Sequence, residues 1–555
     1  MTGELWGRVL DRAVSDIGGQ PRPGQSEMAQ AVWAAFRGDG HLMVQAGTGT
    51  GKSLGYLAPA MAWLAEDRDA RVVVATATLA LQAQLADKDI PAVAQAVEAV
   101  TGRAVGSAVL KGRSNYACLY RVRRVGEEQE ELSFGTGRSS SVGEEVVELR
   151  SWAEGQADAG QLGDRDDAPT HGPLAWGQVS VSAAECLSQT CPFFGECLAE
   201  EARSRARASQ LVVTNHALLA MDAIGERGLL GDFGGLVVDE AHELASRVTS
   251  ATSSQLSWQG LARLARQCAP FLADGSLVGD LEEAAGQLEQ ALEAAEPTRV
   301  EDPESDVGLA LSRVRDLSRE LVSALGAGDD NPDQKLAAGA AREVFEVSDA
   351  MAQMDAANVV WVSERERQGR QLVCAPLDVS GLMRELVFSQ APAVLTSATL
   401  KIGGEFDAVA RQVGLDGDCR AIDVGSPFDY GKQGILYVAK DLPKPGRDGI
   451  APETLAEVAE LVWAAGGRTL GLFASQRAAE AAAAHCRAEV PGHRILCQGE
   501  AQLSELTRQF SQDPTTCLFG TLSLWQGIDV PGETCQLVVI DKIPFPRPDD
   551  PLLQA

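Results

Sequence analysis

The apolar positions of this chain fall into short continuous runs that are separated by helical patterns. Four such runs lie at His41–Ala46, Arg71–Ala77, Leu236–Asp239 and Ala393–Thr396. Strands that are buried on both faces of a parallel sheet show continuous apolar runs rather than alternating ones. Between several of these runs, as in Thr78–Leu85, apolar residues recur at helical spacing. The pattern therefore predicts a parallel α/β domain that begins near residue 20.

A second series of apolar runs predicts a second parallel sheet nearer the C-terminus. These runs lie at Gly434–Ala439, Thr469–Ala474, Cys517–Gly520 and Leu537–Ile540. Together the two series predict an α/β fold with two parallel-sheet domains.

Two stretches interrupt the first series of strands. Residues 105–208 contain four clustered cysteines and, at 126–170, a segment rich in Gly, Ser and acidic residues whose low apolar content predicts mobility. Residues 250–370 show no strand pattern in their first hundred positions. Apolar residues such as Leu281 and Leu288 recur there at helical spacing with acids between them, which predicts a helical, acidic insert.

Length and charge narrow the class of protein. A chain of 555 residues is too long for one core and implies several domains. It shows neither a run of about 18 apolar residues nor a signal-peptide pattern, so we expect a cytoplasmic protein without a membrane partner. The 48 basic and 78 acidic residues give a net charge of −30, which works against non-specific binding to nucleic acid. Any bound nucleic acid would have to lie in a local groove.

A glycine-rich loop follows the first predicted strand and precedes a helical pattern. Backbone N–H groups of such a loop, with the positive end of the helix, cradle phosphates. Lys52 would reach the β- and γ-phosphates of ATP, and Ser53 would ligate Mg²⁺. The alternative is a glycine-rich turn that only opens a helix, and the strand–loop–helix context disfavours it. The predicted nucleotide-binding loop comprises Ala46, Gly47, Thr48, Gly49, Thr50, Gly51, Lys52 and Ser53.

Upstream of this loop, the segment Arg22-Pro23-Gly24-Gln25 is a weaker candidate for nucleotide binding. The side-chain amide of Gln25 could contact the adenine base. The alternative is a Pro-Gly turn that starts a helix.

An acidic pair ends the third apolar run. Asp239 would hold Mg²⁺ through water, and Glu240 would act as the general base that orients the attacking water. His242, two residues further on, would couple the nucleotide state to the rest of the protein. An acidic pair at a strand end is common on protein surfaces, and a histidine there can simply cap the strand. A phosphate loop upstream favours the catalytic interpretation.

Four cysteines form a candidate metal site. Cys118, Cys186, Cys191 and Cys197 leave gaps of 67, 4 and 5 residues. Four thiolates can hold either zinc or an iron–sulfur cluster. The gaps lack the Cys-x-x-Cys pairs of zinc ribbons, so spacing favours iron–sulfur without excluding zinc. Four unrelated buried thiols are a poor alternative because three of the four lie within twelve residues.

The motifs together identify a family resemblance. Asp-Glu-Ala-His at 239–242, with the phosphate loop, resembles a superfamily-2 helicase, and further motifs follow in the same order: Thr76-Ala77-Thr78, Ser397-Ala398-Thr399 and Gly520–Asp529. The DinG/XPD-like iron–sulfur helicases are the most similar branch. The segments that carry this resemblance are Leu110–Cys118, Val213–His216, Ala375–Val379, Ser426–Asp429 and Ile543–Pro548.

The resemblance implies more than the residues alone. It implies two RecA-like motor domains, a [4Fe–4S] cluster on the four cysteines, and contact of Gly527 and Asp529 with the ATP site. It further implies a monomeric, ATP-dependent DNA helicase that moves 5′→3′ on single-stranded and forked DNA in repair or replication. The domains expected are 1–104, 209–248 and 373–404 for the first motor domain, 105–208 for the iron–sulfur domain, 249–372 for a helical arch, and 405–555 for the second motor domain.

A basic cluster beside Cys118 is the candidate surface for holding DNA. Proteins usually bind a single strand with basic side chains that follow its phosphate backbone and aromatic rings that stack on its bases. A solvated basic helix face is the alternative. The candidates are Lys111, Arg113, Arg121, Arg123 and Arg124, with Tyr116 and Tyr120 among them.

The resemblance also leads us to expect a motif with two arginines after Ile543–Pro548, and none follows. Such an arginine finger contributes on the order of 10³–10⁵ to the rate of phosphoryl transfer. We therefore expect a chain truncated before that motif, with weak hydrolysis. The alternative function is a truncated, non-catalytic protein that binds ATP and nucleic acid. A fused N-terminal nuclease is disfavoured because the phosphate loop begins by residue 46.

Overall fold

The computed structural model describes residues 4–124, 139–183, 185–225, 228–273, 275–326, 331–365, 369–444, 449–501, 503–521, 524, 530, 532–543 and 550–554. The chain divides into two compact units, Met1–Pro427 with Pro548–Ala555 and Phe428–Arg547. None of the described helices is both long enough and apolar enough to cross a membrane.

Fourteen strands in the described ranges form three sheets. In chain order they are β1 His41–Gln45, β2 Val72–Thr76, β3 Ser107–Val109, β4 Leu211–Asn215, β5 Gly235–Asp239, β6 Ser254–Leu256, β7 Asn358–Arg365, β8 Gly369–Pro376, β9 Ala393–Ser397, β10 Cys419–Asp423, β11 Thr469–Phe473, β12 Ile495–Cys497, β13 Cys517–Thr521 and β14 Leu537–Ile540.

The α-helices of the described ranges lie between and beside these strands. They are Leu5–Asp16, Pro23–Ala34, Lys52–Glu66, Leu79–Gln84, Ile90–Thr101, Leu119–Arg124, Ser139–Asp158, Pro173–Val179, Leu198–Ala208, His216–Ile224, Leu244–Thr252, Trp258–Cys268, Ser276–Ala294, Asp306–Leu325, Pro332–Gln353, Ser380–Met383, Asp407–Val413, Tyr430–Gln433, Pro452–Ala465, Gln476–Glu489, Leu503–Gln512 and Pro551–Gln554.

The first unit is built on a seven-stranded parallel sheet in the order β10-β1-β9-β5-β2-β4-β3. Helices cover both faces, so alternate residues of one strand enter two separate cores. Val72 and Val74 pack into one core, while Val73 and Ala75 pack into the other. The order places β9 between β1 and β5, so the carboxyl ends of these three strands meet at one edge. Open parallel sheets bind ligands at that edge.

The edge strand β10 corrects the expected domain boundary. The sequence analysis assigned residues from 405 onward to the second motor domain, yet β10 pairs with β1 in the first sheet, from His41–Cys419 to Gln45–Asp423. The second unit begins at Phe428. The sequence of β10, Cys-Arg-Ala-Ile-Asp, mixes polar and apolar residues because this strand has a neighbour on one side only.

The insert after β5 is mainly helical, as predicted, but it also contains a sheet. Strands β6, β8 and β7 form a three-stranded antiparallel sheet in that order. Four helices, from Trp258–Cys268 to Pro332–Gln353, pack with it around Leu288, Leu311 and Leu372. The expectation that the first hundred residues of the insert lack strands was wrong at β6, whose three residues are too short to give a pattern.

The cysteine region is more regular than predicted. Residues 139–158, expected to be mobile, form a helix that buries Val146, Leu149 and Ala153. These side chains pack in one core with Trp176. Residues 126–138 of the same Gly/Ser/acid-rich segment lie outside the described ranges.

The second unit contains a four-stranded parallel sheet in the order β12-β13-β11-β14. Three of its predicted apolar runs are strands. The fourth prediction was wrong, because residues 434–439 pair with none of the described strands and Ile435 is 98% exposed. An apolar run indicates strand propensity, but only a neighbouring edge makes it a strand.

Candidate ATP site and four-cysteine site

The predicted phosphate loop lies between β1 and the helix Lys52–Glu66. Gly51 precedes this helix with φ 83° and ψ 46°, and Gly49 has φ 82°. Both backbones are left-handed, a conformation that glycine adopts without strain. The loop therefore directs the helix N-terminus, with its unpaired N–H groups, toward the carboxyl edge of the sheet.

The segment before the loop braces its backbone. Gln25 is 4% exposed, and its side-chain amide donates a hydrogen bond to the Gly51 carbonyl oxygen at 2.9 Å. The Arg22 guanidinium donates to the Gly49 carbonyl oxygen. Contact of Gln25 with adenine stays a prediction. In the structure, the Gln25 side chain bonds the backbone of the phosphate loop.

A second brace, which the sequence analysis missed, comes from the chain after β10. The Gly425 carbonyl oxygen accepts hydrogen bonds from the Gly47 N–H at 2.9 Å and the Thr50 hydroxyl at 3.3 Å. A Cβ on Gly24 would stand 2.5 Å from the Val424 carbonyl oxygen. Gly24 is therefore needed for this close backbone approach. The position of Gly24 next to Gln25 in the sequence did not predict this role.

The acidic pair lies opposite the loop. Glu240 has left-handed backbone angles, φ 52° and ψ 47°, and its Oε1 bonds the Lys52 ammonium at 2.9 Å. Such a backbone is uncommon outside glycine and is frequent at functional sites. Asp239 is 4% exposed and accepts a hydrogen bond from the Tyr56 hydroxyl at 3.1 Å.

Burial changes the titration of the Asp239 carboxyl. Desolvation raises its pKa to about 6, while the Lys52 ammonium acts in the opposite direction. Burial therefore disfavours the ionised carboxylate in the ligand-free site. A nearby cation would favour the ionised form, so the environment suits a group that binds a metal ion.

His242 connects the acidic pair to β9. Its Nδ1 hydrogen-bonds the Ser397 hydroxyl at 2.8 Å, and the same hydroxyl lies 3.2 Å from Glu240 Oε2. The Ser397 hydroxyl also accepts the Thr399 N–H at 3.2 Å. Residues from two predicted motifs thus meet in one network, which links the candidate base Glu240 to the strand that carries Ser-Ala-Thr.

His216 is a further member of the site to which the sequence analysis gave no role. It begins the helix after β4, and its Nε2 hydrogen-bonds the Asp239 carbonyl oxygen at 2.9 Å. Burial lowers the pKa of His216 to about 4, so the ring is neutral at physiological pH. The only sequence signal was its place in Val213–His216, a segment noted for the family resemblance.

The four cysteines line one common cavity. Backbone N–H groups point at the sulfurs: Ser188 N–H donates to Cys186 Sγ at 3.3 Å, and Phe193 N–H bonds Cys191. Burial raises the pKa of the Cys118 and Cys191 thiols, so these two thiols are protonated at neutral pH. Amide donors stabilise thiolates, the form that binds metal.

Zinc and an iron–sulfur cluster make different demands on four thiolates. Zinc needs its four sulfurs about 2.3 Å from one point, whereas a four-iron cluster binds each thiolate to a different iron. Within the described ranges, no three Cys, His, Asp or Glu side chains are placed to hold one metal ion.

Most of the candidate DNA-binding residues have other partners. Lys111 pairs with Asp164 at 2.6 Å and is 9% exposed, and Arg113 pairs with Glu200 at 2.6 Å. Tyr116 is buried, and its hydroxyl accepts the Lys111 N–H.

The outer members of the basic cluster are neutralised as well. Arg121 pairs with Glu185 at 3.1 Å, and Arg123 pairs with Glu154 at 3.0 Å. The hydroxyl of the buried Tyr120 donates to Asp333 at 2.9 Å. The expected stacking and tracking surface is thus largely internal. The side chain of Arg124 lies outside what the structure describes, as do Gly527 and Asp529 of the predicted ATP contact.

A phosphate loop, an acidic pair and a coupled serine on adjacent parallel strands define an ATP-driven motor of the helicase class. Residues 22–115 match the DEAD/DEAH box helicase family, and residues 458–555 match the helicase C-terminal domain. Over 99% of its length the chain is 45% identical to ATP-dependent helicase DinG of Mycobacterium tuberculosis, of which it covers 85%. The chain belongs to the DinG family of ATP-dependent helicases.

Other relatives agree with this assignment. ATP-dependent DNA helicase YoaA of Escherichia coli is 30% identical over 97% of this chain and 84% of its own length. A solved XPD helicase superposes with a TM-score of 0.54 at 14% identity, covering 96% of this chain and 88% of that one. The XPD-like fold with RecA-like helicase domains is therefore confirmed. The non-catalytic alternative is not favoured.

Proposed function

We propose that this chain, an ATP-dependent DNA helicase by family, moves 5′→3′ on single-stranded DNA and separates forked duplexes. The observation that carries the ATP-hydrolysing part of this proposal is the Lys52–Glu240 ion pair at 2.9 Å, because it joins the phosphate-binding lysine to the candidate base across the site. The polarity and the forked substrate are proposed from the family resemblance. We further propose that it acts as a cytoplasmic monomer in DNA repair or replication.

The ion pair suggests how nucleotide controls the base. With no phosphate present, Lys52 holds Glu240 Oε1 and so restrains the carboxylate. Phosphate oxygens compete for the same ammonium, and binding of ATP would free Glu240 to orient the attacking water. In this way Glu240 would act as a base only when ATP occupies the site.

Ser53 and Asp239 are the proposed magnesium ligands, one from the loop and one from the end of β5. Together they would hold a magnesium ion that supplies positive charge to the phosphates of ATP. The raised pKa of Asp239, caused chiefly by burial, supports this role, because a cation restores the ionised carboxylate.

The hydrogen bonds of Ser397 support a coupling role for His242. The Ser397 hydroxyl lies within bonding distance of both Glu240 and His242, at the end of the strand that carries the Ser-Ala-Thr motif. A shift of Glu240 on ATP binding would have to rearrange these bonds. We propose that this rearrangement transmits the nucleotide state to the rest of the protein.

We propose that Cys118, Cys186, Cys191 and Cys197 hold a [4Fe–4S] cluster with a structural role. The shared cavity and the N–H groups that face the sulfurs support it. The helical insert also reaches this site, because Leu336 lines the cavity and Asp333 bonds Tyr120. The cluster would thus stabilise the place where the cysteine region and the insert meet.

The test is ATP hydrolysis by protein purified without oxygen, measured with and without single-stranded DNA. We expect DNA to stimulate hydrolysis and Glu240→Gln to lower it by about 10²–10⁴-fold, the usual contribution of a general base. ATP binding should persist in this variant. The matched control is Glu243→Gln, since Glu243 contacts His242 and Arg247 instead of Lys52. Hydrolysis that neither DNA nor Glu240→Gln alters would contradict the proposal.

A further inference from the structure

Tyr56 lies one turn beyond the phosphate loop, on the helix Lys52–Glu66. Its side chain is 0% exposed, although nothing in the motif requires a hydroxyl at this position. Burying a hydroxyl costs free energy unless it is hydrogen-bonded. The contacts of this group therefore indicate why a tyrosine rather than a phenylalanine stands here.

The Tyr56 hydroxyl has its partner in the candidate magnesium site. It donates to Asp239 Oδ2 at 3.1 Å. A phenol has one proton to donate, and this hydrogen bond directs it at the Asp239 carboxyl.

The second oxygen of the Asp239 carboxyl is also fixed. Its Oδ1 accepts the Glu240 N–H at 3.0 Å, while Oδ2 is held by Tyr56. With both oxygens bonded, the carboxyl plane has one orientation. The spacing of three residues between Ser53 and Tyr56 places both on the same side of the helix.

We propose that Tyr56 is a positioning residue for the magnesium site, which fixes the orientation of the Asp239 carboxyl before the ion arrives. This inference rests on the proposed function, because it takes Asp239 as a magnesium ligand. Groups that orient metal ligands typically contribute 10–100-fold to metal affinity. A ring that only filled the core would need no such hydroxyl.

The test is Tyr56→Phe, which keeps the ring and removes only the hydroxyl. We expect the Mg²⁺ concentration for half-maximal hydrolysis to rise by about 10-fold, with kcat recovered at high Mg²⁺. In a separate binding experiment with fluorescent ADP, affinity should fall when Mg²⁺ is present and stay unchanged when it is absent. Tyr116→Phe is the matched control, since Tyr116 is also buried and its hydroxyl accepts the Lys111 N–H, outside the ATP site.

A double-mutant cycle shows whether Tyr56 acts through Asp239. Adding Tyr56→Phe to Asp239→Asn should leave the Mg²⁺ dependence of ADP binding as it is in Asp239→Asn alone. Unaltered Mg²⁺ dependence in Tyr56→Phe would overturn the inference, and so would an equal loss of ADP binding without Mg²⁺. If wild-type protein bound ADP equally with and without Mg²⁺, the proposed ligands themselves would be wrong.

Discussion

The ATP site and the four-cysteine site differ in how they are held without a ligand. In the ATP site the functional groups bond one another, as in Lys52–Glu240 and Tyr56–Asp239. In the cysteine site the sulfurs face a shared cavity and accept backbone N–H groups, such as that of Ser188. The first site is therefore formed by the protein alone, whereas we expect the second to depend on its ligand.

Loss of one cysteine should have the largest effect. Cys118→Ser removes a thiolate from the cavity, so we expect the iron content to fall from about four per chain to near zero and the surrounding region to become sensitive to proteolysis. Iron analysis and limited proteolysis of the same sample measure both effects. Cys419→Ser, in the edge strand β10, is the control and should keep its iron. Full iron in Cys118→Ser would show that the cavity is not the cluster site.

Loss of the loop lysine should affect catalysis without affecting the fold. Lys52→Ala removes a cation from the phosphates, and we expect ATP hydrolysis to fall by about 10²–10³-fold, as for other groups that stabilise a transition state. The melting temperature should change little, because the rest of the site stays bonded. Lys432→Ala, at an exposed lysine, provides the control. A variant that unfolds would contradict the idea of a self-supporting site.

The brace on the phosphate loop predicts a smaller effect on stability. Gly24→Ala would bring a methyl group 2.5 Å from the Val424 carbonyl oxygen, so we expect a loss of about 1–3 kcal/mol in the free energy of unfolding. Denaturant unfolding measures this difference. Gly106→Ala is the matched control, because the nearest atom to its Cβ is 4.0 Å away. Equal stability of the two variants would mean that the chain after β10 does not constrain the loop.

We expect a substitution in the basic cluster to have the smallest effect on stability and on DNA affinity. Arg123 pairs with partly exposed Glu154 and Glu196, so Arg123→Ala should cost less than about 1 kcal/mol in stability. Because its charge is already paired, affinity for single-stranded DNA and its salt dependence should also stay near those of wild type. A large loss of DNA affinity, measured by fluorescence anisotropy at two salt concentrations, would restore the original DNA-binding interpretation.

The sequence predicted the family, the fold class and the central strands, because buried parallel strands carry continuous apolar runs. It failed where pairing depends on neighbours distant in the chain. The mixed sequence of β10 gave no run, although this strand completes the first sheet. The apolar segment 434–439 gave a run, although it pairs with none of the described strands.

The candidate site shows the same limit at the level of side chains. The sequence could predict the roles of Lys52, Asp239 and Glu240, because each belongs to a short motif of neighbouring residues. It could not predict the role of Tyr56, since a tyrosine in an apolar helix looks like any core residue until Asp239 is placed beside it. The pairing of Arg113 with Glu200 was hidden as well, because 86 residues separate them in the chain.

The most direct test of the central claim is strand separation driven by ATP. The protein, purified without oxygen, would be given duplexes with a single-stranded 5′ tail, a 3′ tail or none, with wild type and Glu240→Gln compared at equal concentration. We predict ATP-dependent unwinding by wild type of the 5′-tailed duplex only, and none by Glu240→Gln. Unwinding of the 3′-tailed duplex alone would contradict the proposed polarity. Equal strand separation by Glu240→Gln would contradict the assignment of this site as the motor.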